Sequence, residues 1–124
     1  MFRRIGVFGG SLAVLVLVAA CSPRDVSYRA EVQPILQKYC LDCHVPGGAG
    51  FAASGFDMSS HESLMKGGTY GPFVIPGDPF TSTLNMLVEG RADPSIRMPH
   101  GRGTLTDREI EILRVWVQEG AKNN

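Results

Sequence analysis

Cys40-Leu41-Asp42-Cys43-His44 brings together the residue types and spacing in this chain that can do chemistry. At a helix end, Cys43 and His44 lie three and four positions beyond Cys40, so two thiols and an imidazole project from one face. That face can hold a haem. The C-x-x-C-H spacing is the c-type attachment pattern: both thiols become thioethers to the porphyrin, and the adjacent imidazole stands under the iron. On this reading Cys40 and Cys43 carry one covalent haem c and His44 is the proximal ligand. Two plainer chemistries use the same cysteine pair. A thioredoxin-like dithiol follows a strand and opens a helix, whereas residues 32–39 read as helix ahead of the pair and residues 47–55 as loop after it. A zinc site needs further close ligands, and there is no second cysteine pair.

The third cysteine, Cys21, has a different setting. Arg3 and Arg4 precede an apolar and small-residue run over residues 5–20, the pattern of a secretory signal. The run ends Val18-Ala19-Ala20-Cys21, which looks like a bacterial lipobox, with Cys21 lipidated as the first mature residue. An ordinary cleaved signal and an uncleaved anchor are the alternatives. Three cysteines, one acylated and two thioether-linked, leave no spare thiol in an oxidising compartment. Several acyl chains hold far more firmly than one, since each buried methylene adds about 0.8 kcal/mol. The expected product is exported and lipid-anchored on the periplasmic side. Ser22 after the acceptor resembles the class sorted to the outer membrane rather than the inner.

Losing Arg3 and Arg4 with the signal lowers the basic count from twelve to ten, against twelve acidic residues. No basic run survives, so nothing resembles a nucleic-acid footprint. The expected organisation is a signal over 1–20, a polar tether lacking fixed structure over 21–30, and one small domain over 31–124.

The elements that must position the motif are short. Val32, Ile35, Leu36 and Tyr39 recur at helical spacing, with Pro34 tolerable in the first turn. Residues 45–55, rich in Pro, Gly and Ala, read as a loop able to pass close to a flat ligand. Ser59, with Glu62 three residues on, reads as a capping box opening a short helix that stops at Gly67-Gly68. Residues 69–79 form a turn-rich loop in which Phe73, Val74 and Ile75 can line a pocket. Leu84, Leu87 and Val88 define another helix ending at Gly90. After a loop centred on Met98-Pro99, Thr106 and Glu109 form a second capping box. The last helix carries Ile110, Leu113 and Val117 on one stripe, Ile112 and Trp116 on a neighbouring one, and ends at Gly120. This is an all-α pattern of about four short helices with long loops.

In this order the motifs resemble class I cytochromes c, and more narrowly the short planctomycete-type domains. The resemblance runs over residues 32–121 through Pro34-Ile35-Leu36, Cys40-x-x-Cys43-His44, Gly67-Gly68, Pro76-Gly77-Asp78-Pro79, Met98-Pro99 and Leu113-x-x-Trp116-x-x-x-Gly120-Ala121. It implies an all-helical fold around the haem, with the terminal helices crossing and Trp116 packed near Ile35, Leu36 or Tyr39. It also implies Met98 as the distal iron ligand, and a flexible thioether in a loop stiffened by Pro99 suits that role. Met58, Met65 and Met86 fall among apolar neighbours as core. His100, where relatives often have a second proline, is the rival ligand, and His61 a more distant one. For the other ring nitrogen of His44 the resemblance implies a carbonyl in a proline-containing loop, near Pro46 or Pro72.

The implied function is one-electron transfer rather than catalysis, between a donor and an acceptor redox protein at the membrane. A haem enzyme or a gas or peroxide sensor, with Met98 off the iron and the distal site open, is the alternative. It lacks the distal Arg/His pairing of peroxidase chemistry.

Overall fold

The first helix starts earlier than its apolar stripe predicts. The computed structural model describes residues 25–124, and in it a π-helical turn, Tyr28–Val32, runs directly into helix α1, Gln33–Tyr39. Ser27 caps this segment by accepting the Ala30 N–H. Pro34 sits in the first turn of α1 but mid-way along the combined helix. The wider π turn ahead of it suits a residue that offers no N–H to the preceding carbonyls. The expected tether therefore loses its last residues to the domain: Tyr28 is only 4 % exposed, and Val26 and Tyr28 are hydrogen-bonded to the C-terminal end of the chain. Cys21 and the signal lie outside the described residues.

Four more helices follow: α2, Ala49–Ser54; α3, His61–Lys66; α4, Thr83–Val88; and α5, Asp107–Gln118. A 3₁₀ turn, Pro94–Ile96, interrupts the last long loop. Among the described residues the fold is all-α, with no strand beyond an isolated bridge between Gly68 and Gly71. None of these helices is long and apolar enough to cross a membrane.

Helix α2 falls in the stretch expected to be a loop. Ala49, Ala52 and Ala53 are strong helix formers, and Gly55, in the left-handed region at φ +66°, stops the helix. The cap of α3 is displaced by one residue: Ser60, not Ser59, accepts from Ser63 N, and Ser63 rather than Glu62 reaches back to Ser60. The hydroxyl pair closes the same reciprocal box with shorter side chains. Thr106 and Glu109 cap α5 as the spacing predicts.

α5 runs antiparallel to the first helical segment, and polar contacts mark both ends. At one end Tyr39 Oη donates to Glu109 Oε2 at 3.0 Å and Lys38 Nζ lies 3.2 Å from Glu109 Oε1. At the other, Val26 N–H donates to Glu119 Oε2 at 2.8 Å, and Tyr28 N–H to Asn124 Oδ1 at 2.8 Å. Between these ends lies the core of Tyr28, Val32, Ile35, Leu36, Leu113, Trp116 and Val117, where each large side chain contributes about 1.5–3 kcal/mol by burial. The Trp116 ring stacks at a tilt on Tyr28, centroids 5.6 Å apart, and its Nε1 donates to the Lys122 carbonyl. Ile35 and Leu36, its expected neighbours, lie in the same buried cluster, with Tyr39 packed against it, and α5 also contacts residues 28–32. Asn85 on α4 is fully buried with neither amide atom hydrogen-bonded among the described residues, a desolvation cost that the surrounding apolar packing must offset.

Candidate functional site

Cys40 closes α1, and the chain then turns so that the N–H groups of Cys43 and His44 both donate to the Cys40 carbonyl, at 3.1 and 3.0 Å. This extra turn puts both sulfurs and the imidazole on one wall of a cavity of about 450 Å³. That volume lies within the range of about 300–1,000 Å³ typical of small-molecule and cofactor sites. Leu84, Leu87 and Val88 of α4 and the side chains of Phe56 and Phe73 supply apolar wall, and Met98, Pro99 and His100 come from the loop ahead of α5. The Phe56 and Phe73 rings are stacked, with centroids 4.2 Å apart.

Two glycines let α2 lie against the motif. A Cβ at Gly48 would stand 2.4 Å from the Cys43 carbonyl oxygen, and one at Gly50 would stand 2.8 Å from both Cε1 and Nε2 of His44. Phe51 N–H donates to Cys43 O and Met58 N–H to His44 O, both at 2.8 Å, so the segment after the motif folds back to clamp it. His44 Nδ1 lies 3.3 Å from the Phe56 carbonyl. With the proton on Nδ1 and donated there, Nε2 keeps its lone pair for a metal. The expected proline-loop carbonyl near Pro46 or Pro72 is thus replaced by that of Phe56, which the clamp brings under the ring. Burial lowers the His44 pKa, opposed by the Phe56 hydrogen bond, and so favours the neutral imidazole that ligation requires.

Burial in apolar surroundings, with the neighbouring Cys43 adding to it, pushes the Cys40 thiol up to about 12. Such a thiol is a poor nucleophile. Cys40 thus lies in the apolar wall of the cavity. The donor set fits a haem: two thiols and an imidazole on one wall, a thioether on a second loop, and apolar walls between.

Met98 is half-buried in the cavity wall, with its N–H donating to the Leu87 carbonyl. His100 is exposed at the rim. His61 lies elsewhere: its Nε2–H donates to the Ala121 carbonyl at 2.7 Å, and its ring sits edge-on to Tyr28 and Trp116. Met58 is buried as expected and also lines the cavity, whereas Met65 packs against the core. Gly50 and Phe56 are site residues that the apolar pattern did not single out. Arg102, in the loop that carries Met98, pairs with Asp42 of the motif at the surface.

Residues 40–100 match the family model described as planctomycete cytochrome C. This segment belongs to that family. The match is narrower than the run of motifs over residues 32–121, and it begins at the first motif cysteine. No curated protein and no solved structure matched the chain. A cytochrome c domain implies haem c as the cofactor and a haem-binding electron carrier as the function.

Proposed function

We propose that this cytochrome is a lipid-anchored one-electron carrier. In this reading it holds one haem c through thioethers to Cys40 and Cys43, with His44 as proximal and Met98 as distal ligand. The supporting observation is that these four side chains line the same apolar cavity. Haem c supplies a one-electron ferric/ferrous couple when bound. Cys40 and Cys43 would hold the group, and the Phe56 carbonyl holds the His44 ring and its tautomer. The Leu87 carbonyl and Pro99 restrain the Met98 loop. Leu84, Leu87, Val88, Phe56 and Phe73 keep water away, and a dry pocket with fixed ligands limits rearrangement on electron transfer. The lipid at Cys21 and an outer-membrane, periplasm-facing location rest on the signal and lipobox pattern, and redox proteins would be donor and acceptor.

Absorption spectra of the holoprotein, oxidised and reduced, with and without carbon monoxide, test this. A low-spin spectrum with the Met–iron charge-transfer band and no response to carbon monoxide is expected, and Met98→Ala should lose the band and bind the gas. An unchanged spectrum in Met98→Ala would remove Met98 from the iron and bring His100 forward. A high-spin, gas-binding native protein would point to the open-site enzyme or sensor instead.

A further inference from the structure

The tether and the cavity lie at opposite ends of the same helix pair. The chain enters beside Val26 and Tyr28, which are bonded to Glu119 and Asn124 at the C-terminal end of α5. Arg29 N–H and Ser27 Oγ both reach the Asn124 carbonyl, and Lys122 pairs with Asp25 at 2.8 Å, so residues 25–29 and residues 122–124 are fastened into one end face. The cavity takes its wall from Tyr39 and Cys40, where α1 stops, and from Leu105, just ahead of α5. Its exposed rim is formed by Cys43, Ala49, Ala53, Ile96 and His100. From Tyr28 to Tyr39 the helical rise is roughly 15 Å.

Three residues separate Cys21 from Asp25, so the connection spans at most about 14 Å when fully extended. A domain of this size on so short a lead cannot turn over freely. On this face Asp25 and Lys122 neutralise one another. Resting on the lipid anchor proposed above, we infer that the domain lies with this terminal end face against the membrane and turns the mouth of its cavity to the aqueous side. Its exchange partner is then a protein docking from the aqueous space rather than a redox molecule dissolved in the lipid.

Two lysines report the orientation directly. Lys38 marks the cavity end and Lys122 the terminal end, with side chains 61 % and 51 % exposed, and Lys66 on α3 serves as a reference. The lipidated holoprotein on vesicles and the soluble Cys21→Ser holoprotein are labelled with a membrane-impermeant amine reagent, and each lysine is quantified by mass spectrometry. Lys122 should react several-fold more slowly on vesicles, while Lys38 reacts equally in both. A Gly-Ser insertion of about ten residues before Asp25, with a reach of roughly 17 Å, should restore Lys122 labelling while the protein still floats with vesicles. Protection of Lys38 instead, or equal labelling of both lysines on vesicles, would overturn the orientation. Failure of the unmodified protein to float would overturn the anchor and, with it, this inference.

Discussion

At the residue scale the site depends on close approach as much as on ligands. Gly50 is half-buried against the edge of His44 that carries Nε2, where an added Cβ would stand 2.8 Å from two ring atoms. Real Cβ contacts are not that short, so Gly50→Ala must displace either α2 or the imidazole. The ring is held from its other side by the Phe56 carbonyl, and a shift away from Gly50 strains that bond. Gly50→Ala should therefore lower the yield of haem-loaded protein and perturb the absorption spectrum. Equal spectra for Gly50→Ala and native protein would show that the helix gives way without cost. Cys40, Cys43 and His44 were legible as a motif because the chemistry resides in consecutive residues. The Phe56 carbonyl was not, since a backbone acceptor carries no residue-type signal and its approach depends on a fold-back that begins after Gly55.

At the scale of the elements, Glu109 joins two helices. Burial alone would raise its pKa, but hydrogen bonds from the Thr106 backbone and hydroxyl, from Lys38 and from Tyr39 outweigh this and hold it down at about 2, below an ordinary value of 4.5. Because the folded-state pKa is the depressed one, the carboxylate contributes fully above pH 4.5, and the contribution disappears as the pH falls through 2. Glu109→Gln should lower stability at pH 7 by about 1–2 kcal/mol, through a weakened cap and a lost link to α1, with solvent screening limiting the ion-pair share. Its thermal midpoint should also fall less than that of the native protein between pH 5 and pH 2.5. Parallel acid limbs for the two proteins would contradict the assignment. This cap was readable from Thr106 and Glu109 because a capping box is local in sequence. Helix α2 was not, because Gly48 and Gly50 read as loop residues: each is glycine for clearance against the motif rather than for flexibility. The start of the first helix was missed for a related reason. Tyr28 is one apolar residue in a polar stretch, and its burial comes from Trp116, 88 positions away in sequence but only 5.6 Å away in space.

For the whole molecule, the cavity is large relative to what the fold can stabilise by itself. Its apolar walls, among them Phe56, Phe73, Leu84, Leu87 and Val88, face one another across about 450 Å³, and apolar surface left facing that space contributes no burial energy. Small domains have only about 5–15 kcal/mol in total. The helix pair of α1 and α5 retains its own contacts through Tyr28, Leu113, Trp116 and Val117, whereas α2, α4 and the Met98 loop each give side chains to the cavity wall. Without a filled cavity, the terminal helices should keep part of their structure while α2, α4 and residues 97–105 lose theirs. The Cys40→Ala, Cys43→Ala double variant, which cannot attach haem c, should therefore show reduced helix content by far-ultraviolet circular dichroism. It should also show a broad thermal transition and fast amide exchange everywhere except along residues 28–39 and 107–118. A sharp transition near that of the holoprotein, with α2 and α4 still protected, would mean that the walls collapse onto one another and that the polypeptide folds independently of its cofactor.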